Sequence, residues 1–341
     1  MRALTLSYTD RTLAVRDLPE PDLNLATEVL LRVHEVGVCA TDRELAAFRL
    51  GRPPADSDFL VPGHEGLAQV AGIGSAVAKC NIGDWVVPIV RKGCRPLCPS
   101  CSRGRADLCV TGRYTESGLF GRHGYWRRLA VESQDDLVRV PRNAIEFAIL
   151  TEPLSVAEKA IERAVETHPG GIARALVLGA GALGLLTAQA LRLRGLGVAV
   201  FSSEPDDHPR AQWVRSCGMA YLTQMPDEPR FDLIVEACGS ASAALAALAA
   251  LAPLGVLVIL GAQNALGSVP FHQILVNNQV ILGSVNAGAA HYRAALDDLA
   301  RMDPAALRSL IERRRFDDYE RSFFGPASAS AKLVHTLADP R

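Results

Sequence analysis

Gly179-Ala180-Gly181-Ala182-Leu183-Gly184 stands directly between the apolar run Ala175-Leu176-Val177-Leu178 and a helical stretch from Leu183 to Arg194. A G-x-G-x-x-G pattern alone is weak, because glycines fall into register easily in a chain that has 28 of them. Between a strand and a helix it acquires a mechanism. The first glycine makes the tight turn, the second lets backbone approach a pyrophosphate, and the third lets helix and strand pack closely. The helix N-terminus then faces the phosphates. The alternation continues: strand Val198–Phe201, helix Asp207–Cys217, strand Leu233–Val235, helix Ser242–Leu251, and strands Val256–Leu260 and Val280–Leu282. Such alternation predicts an α/β domain, a doubly wound parallel sheet (Rossmann type) with helices on both faces.

The adenosine end is ambiguous. Sites for NAD usually place Asp or Glu at the end of the second strand, on the ribose 2′-hydroxyl. Here Ser202 and Ser203 follow that strand, and an uncharged hydroxyl does not repel a 2′-phosphate. Arg210 could pair with one, which leans towards NADP. Glu204 could take the ribose itself, which keeps NAD open.

The first 150 residues have a different texture. Apolar segments such as Val29–Val33 and Trp85–Val90 are short and punctuated by Gly and Pro, as in a β-rich fold of short strands. Inside this half, Cys94-x3-Cys98-x2-Cys101-x7-Cys109 puts four thiols on one short lobe, with Gly93, Pro96, Pro99 and Gly104 to turn the chain. Four soft ligands with no spare position suit a closed, tetrahedral structural zinc. Cys80, Cys217 and Cys238 have no partners at ligand spacing and read as buried thiols.

Charge excludes some partners. Lys plus Arg number 36 against 37 Asp plus Glu, so no field attracts nucleic acid or acidic lipid. The run Arg313-Arg314-Arg315 reads as a solvated helix face. No export signal opens the chain, since Met1–Leu6 reads as a strand start. The uncharged stretch Ala241–Ala262 is long enough to raise a membrane span, but Pro253 and Gly255 divide it. A soluble, cytoplasmic protein is expected.

A second metal site is visible only in pieces. Cys39 and Thr41 lie on a turn after a strand, His64 and Glu65 on another, and Glu152 precedes Pro153 where two domains should meet. A thiolate, an imidazole and one or two carboxylates make a mixed shell that leaves a position open for substrate. Spacing cannot assemble them. Taken singly, Cys39 reads as a buried thiol and His64 as a turn histidine.

Together these segments resemble the zinc-dependent medium-chain alcohol dehydrogenase family over nearly the whole chain. The similarity is greatest to archaeal-type glucose dehydrogenases. It is carried by Cys39-Ala40-Thr41-Asp42-Arg43-Glu44, Asp58–Glu65, Glu152-Pro153-Leu154 with Glu158-Lys159, and Gly283-Ser284-Val285-Asn286. The resemblance implies a GroES-like β-rich catalytic domain over 1–153 and 288–341, and a dinucleotide-binding Rossmann domain over 154–287. By the same likeness, Cys39 and His64 bind a catalytic zinc with Glu65 and Glu152 as direct or water-linked carboxylates. Zinc at Cys94, Cys98, Cys101 and Cys109 makes two ions per chain. Thr41 relays the substrate proton, Glu116, Asn286 and His291 contact or lie near the sugar, and Asn286 also lies by the cofactor. Homodimers or homotetramers are implied, paired through the last strand of the cofactor domain.

Two departures stand out. The cysteine lobe has one residue more than the family's common spacing between Cys94 and Cys98. Val90 stands where the glucose enzymes carry a sugar-binding Asn, which weakens the case for glucose itself. The expected activity is oxidation of an aldose at its anomeric carbon to a lactone, with NADP or NAD as acceptor. A dehydrogenase of another polyol or secondary alcohol shares every motif. A non-catalytic nucleotide-binding redox sensor would keep only the structural zinc.

Overall fold

The computed structural model of the chain describes residues 1–261, 267–325 and 328–337. Its middle is a six-stranded sheet whose neighbouring strands are all parallel. From edge to edge the strands are Ala220–Leu222, Gly197–Phe201, Arg174–Leu178, Phe231–Glu236, Leu251–Ile259 and Val280–Gly283. In chain order this is third, second, first, fourth, fifth, sixth, so winding reverses beside the first strand and opens a crevice at the strands' carboxyl ends. The central strands are apolar over their middle residues, Ala175–Leu178 and Leu233–Val235, because both faces are covered. Ala175, Val177, Leu233 and Val235 share one core with Ala157 and Leu185, while Leu176, Leu178 and Ile234 share another with Ala247 and Leu248.

Local chemistry sets the helix ends. Pro209 opens the helix Pro209–Ser216, where the side chain of His208 accepts from the Arg210 amide, so this helix falls within the stretch expected to be helical. The alanine-rich stretch is shorter than expected, a helix over Ala241–Ala247 followed by one 3-10 turn. The next strand starts at Leu251, because Phe231 pairs with it ahead of a register shift. Ala262, the end of the uncharged stretch, lies outside the described residues. Among those described, no helix is long and apolar enough to cross a membrane.

A second, seven-stranded sheet is built around the strand Glu28–Val38. It pairs with Gly66–Ile73, with Leu129–Ser133, and with Lys332–Thr336 from the far end of the chain. The C-terminal stretch thus completes a sheet begun by the N-terminal one. Arg313-Arg314-Arg315 lies in that addition as part of the strand Ile311–Arg315, not on a helix face. Its side chains are tied by ion pairs to Glu35, Glu312 and Asp318 respectively. The parallel partner Lys332–Thr336 sets this conformation, and no local pattern announces it. A small sheet of Arg91–Lys92, Thr115–Ser117 and Gly121–Arg122 sets Arg91 opposite Glu116.

Cys80 and Cys217 are buried as expected, but Cys238 is exposed. It sits on the turn leaving Phe231–Glu236, at the carboxyl end of the sheet, where its amide donates to Glu236.

Candidate active site

Two neighbouring strand ends build the centre of the site. Glu28–Val38 runs into Cys39, which caps the helix Ala40–Ala46 and donates its amide to Asp42 Oδ2 at 2.8 Å. This cap fixes the thiol and sets Thr41 in the first turn. The paired strand Gly66–Ile73 is preceded by His64 and Glu65, and Gly63 turns the chain there at φ +90°. The pairing brings Cys39 Sγ within 3.3 Å of His64 Nε2. Behind the ring, His64 Nδ1 lies 3.7 Å from Asp42 Oδ1, an arrangement that orients an imidazole for metal binding. Glu65 meets Lys332 in a buried ion pair. A Cβ on Gly37 would collide with both side chains, so glycine there makes the room in which they pair.

The electrostatics mark a buried cluster of acidic groups that Lys332 and His64 offset only in part. Burial pushes the Cys39 thiol and the Asp42 carboxyl up. Burial also lifts Glu152 to about 7, against the pull of His64 and helped by Glu65. Burial works against charge on His64, yet Cys39 and Asp42 outweigh it and raise the imidazole well above its usual range. Among the described residues, the buried Asp42 Oδ1 and His64 Nδ1 have no hydrogen-bond partner. A divalent cation would relieve this excess of negative charge.

The donor atoms fit zinc in two places. Those of Cys39, His64 and Glu65 lie within 4.8 Å of one another, and so do the four sulphurs of Cys94, Cys98, Cys101 and Cys109. In the lobe, Cys94 and Cys101 sulphurs are 3.8 Å apart and those of Cys98 and Cys109 4.0 Å. Disulfides need about 2 Å, whereas tetrahedral Zn–S bonds of about 2.3 Å put sulphurs about 3.8 Å apart. The extra residue after Cys94 does not splay the lobe. Glu152 lies outside the tight group but lines the same cleft.

That cleft, of about 410 Å³, runs from the Cys39–His64–Glu65 group to Ala182 and Leu183 at the glycine turn. Gly179 takes φ +107°, and a Cβ on Gly184 would strike its carbonyl, so two glycines are demanded by the turn and by close packing. A Cβ on Gly181 would have no neighbour within 4 Å, which leaves the open backbone a pyrophosphate needs. At the end of the second strand Ser202 is buried and bonds to Glu204, while Ser203 is exposed. Arg210 is not free to wait for a phosphate. It pairs with Glu204 at 3.1 Å and donates to the carbonyls of Ser328, Ala329 and Ser330.

The other end of the cleft is polar on one side. Asn286 Nδ2 donates to Glu116 Oε1 at 2.8 Å, and Arg91 Nε donates to the same oxygen at 2.8 Å. Arg91 stacks on Tyr114, its guanidinium carbon 3.8 Å from the ring centre. Val90, Leu119 and Phe120 line the apolar side. His291, expected beside the sugar, is elsewhere. It is buried at the start of the helix Ala289–Leu299, where Nδ1 accepts from the Gly288 amide and Nε2 faces Glu162 at 2.6 Å. Capping its own helix removes it from the cleft.

Lys332, Asp42 and Arg91 are the functional candidates that motif reading passes over. Lys332 follows a run of alanines and serines and carries no motif. Asp42 stands in a matching segment but acts from behind. Arg91 is recognisable only through its strand partner Glu116.

Residues 25–142 match the family described as "Alcohol dehydrogenase GroES-like domain", and residues 145–334 match "Glucose dehydrogenase C-terminus". A glucose 1-dehydrogenase of Thermoproteus tenax is 40% identical over 312 residues, 88% of each chain. One from Caldivirga maquilingensis is 38% identical over 343 residues, 95% of each chain. The structure of Haloferax mediterranei glucose dehydrogenase in complex with NADP, Zn and gluconolactone superposes with a TM-score of 0.91 at 28% identity, covering 100% of both chains.

Proposed function

This chain belongs to the zinc-dependent medium-chain alcohol dehydrogenase family, in its glucose dehydrogenase branch, and from that premise we propose that it oxidises an aldose at the anomeric carbon. The products are a lactone and a reduced nicotinamide dinucleotide, with NADP or NAD as acceptor. One observation carries the reading. A polar pair, Glu116 and Asn286, shares a single cleft with the Cys39–His64–Glu65 group and the glycine turn.

Cys39, His64 and Glu65, with Glu152 beside them, would hold zinc, which when bound supplies the Lewis acidity that lets a sugar hydroxyl lose its proton near neutral pH. The glycine turn would seat the dinucleotide, whose ring supplies the hydride acceptor. The chain's own residues do the rest. Asp42 holds the His64 ring from behind, and Lys332 holds Glu65 in place. Thr41 Oγ1 takes the substrate proton and passes it towards the cofactor ribose. Among the described residues both hydrogen bonds to Glu116 fall on Oε1, which leaves Oε2 for a sugar hydroxyl. The cleft walls fix the reacting carbon.

We assign 1–153 with 288–341 to the catalytic domain and 154–287 to the cofactor domain. We also assign the protein to the cytoplasm, as a homodimer or homotetramer paired along the sheet edge Val280–Gly283. Apolar Val90 on the cleft wall favours a second reading, a less polar polyol or secondary alcohol. A steady-state assay of the zinc-loaded protein separates them, with NADP and NAD each tested against aldoses and simple alcohols. Turnover of aldoses to lactones is expected, and activity confined to apolar alcohols would overturn the sugar reading. A single zinc per chain with no turnover would identify a nucleotide-binding sensor instead.

A further inference from the structure

We propose that Lys159 and Asp107, neither of which lines the cleft, are positioning residues for substrate recognition. They hold Asn286 and Glu116 in place and tie the cysteine lobe to the sugar end of the site. This rests on the reading of Asn286 and Glu116 as sugar contacts.

Lys159 lies on the helix Thr151–Thr167, its side chain 2% exposed. Its ammonium has three protons and three acceptors are at hand. They are Asp107 Oδ2 at 2.9 Å, the Val285 carbonyl at 3.0 Å and the Asp107 carbonyl at 3.4 Å. Val285 immediately precedes Asn286, which is held at the left-handed φ of +62°. Asn286 reaches Glu116, Glu116 is gripped by Arg91, and Arg91 Nη1 returns to the Asp107 carbonyl at 3.3 Å. The contacts close a ring: Asp107, Lys159, Val285–Asn286, Glu116, Arg91, and Asp107 again.

The ring joins segments far apart in sequence, and Asp107 belongs to the lobe, two positions before Cys109. Asp107 is itself fixed, its carboxylate taking Arg105 Nε and Nη2 at 3.0 Å each. Gly288 admits it, since a Cβ there would lie 2.9 Å from Asp107 Oδ1. A buried ion pair gains little net stability, because desolvation offsets the attraction. What this pair delivers is placement of two side chains that face the substrate.

The test uses the zinc-loaded full chain and the aldose it turns over best, with Lys159→Met, Asn286→Ala, Glu116→Gln and the double variant K159M/N286A. K159M is expected to raise the aldose KM tenfold or more while kcat changes less. Zinc content should stay as in the unaltered protein, and the KM for the dinucleotide should move less than the aldose KM. In the double variant the two effects on the aldose KM should fall short of adding, because Lys159 acts chiefly through Asn286. Should K159M fail to fold, Asp107→Asn is read by the same criteria. An aldose KM unmoved by K159M, a uniform loss of all parameters, or additivity with N286A overturns the proposal and leaves the sugar reading standing. If N286A and E116Q themselves leave the aldose KM unmoved, the assignment of sugar contacts fails and the proposal falls with it.

Discussion

Lys332 forms an ion pair with Glu65 in which each side chain is 1% exposed, so the carboxylate beside Cys39 and His64 is balanced from the chain's other end. Removing one partner of a buried pair strands the other charge, at a cost of about 3–5 kcal/mol. Lys332→Met should lower the stability of the zinc-free chain by about that amount, and zinc, whose charge can balance the stranded Glu65 carboxylate, should restore part of it. Chemical denaturation of the variant with and without zinc checks both, and an unchanged midpoint for the zinc-free chain would refute the role.

The cysteine lobe holds its four sulphurs within reach of one ion, apart from the cleft. Cys101→Ser should therefore reduce zinc from two ions per chain to one and lower the thermal midpoint. The remaining ion should still be retained by the cleft residues. Loss of both ions together would mean the two sites are not separable.

Burial, opposed by Arg194 and reinforced by Asp298, lifts the Glu158 carboxyl to about 7. Among the described residues its buried Oε1 accepts no hydrogen bond, whereas Oε2 pairs with Arg194 at 2.6 Å. Between the unfolded value of 4.5 and about 7 the folded chain binds the extra proton, so this group's contribution to stability falls as pH rises through that window. Glu158→Gln cannot titrate, and Asp298 still pairs with Arg194 at 2.7 Å. The variant should gain stability relative to the unaltered protein as pH goes from 5 to 8. Parallel pH dependences in denaturant melts would contradict this.

Glu204 sits between Ser202 and Arg210 at the end of the second strand and offers a negative charge where a 2′-phosphate would lie. Glu204→Gln removes that charge and loosens Arg210, so kcat/KM for NADP relative to NAD should rise by about tenfold, or 1.4 kcal/mol. A ratio that stays put would place the discriminating contact elsewhere.

What could be read from residues in order was whatever depends on neighbours in order. The glycine turn needs only the strand before it and the helix after it, and the cysteine lobe folds around one ion within sixteen positions. The doubly wound sheet follows from alternating apolar runs. The Cys39–His64–Glu65 group was legible only through resemblance, since Cys39 and His64 each look ordinary until their strands pair. His291 shows the opposite failure, a plausible sugar ligand that its own helix cap consumes.

The sequence by itself determined the cofactor fold, the soft-metal lobe and the kinds of ligand available for a second ion. Only the tertiary structure decided that Lys332 faces Glu65, that Arg210 is already engaged, and that Arg313–Arg315 is a strand. Each of these depends on which distant segment lies alongside. A buried charge or a sheet edge takes its partner from three-dimensional proximity, and spacing along the chain carries no record of it.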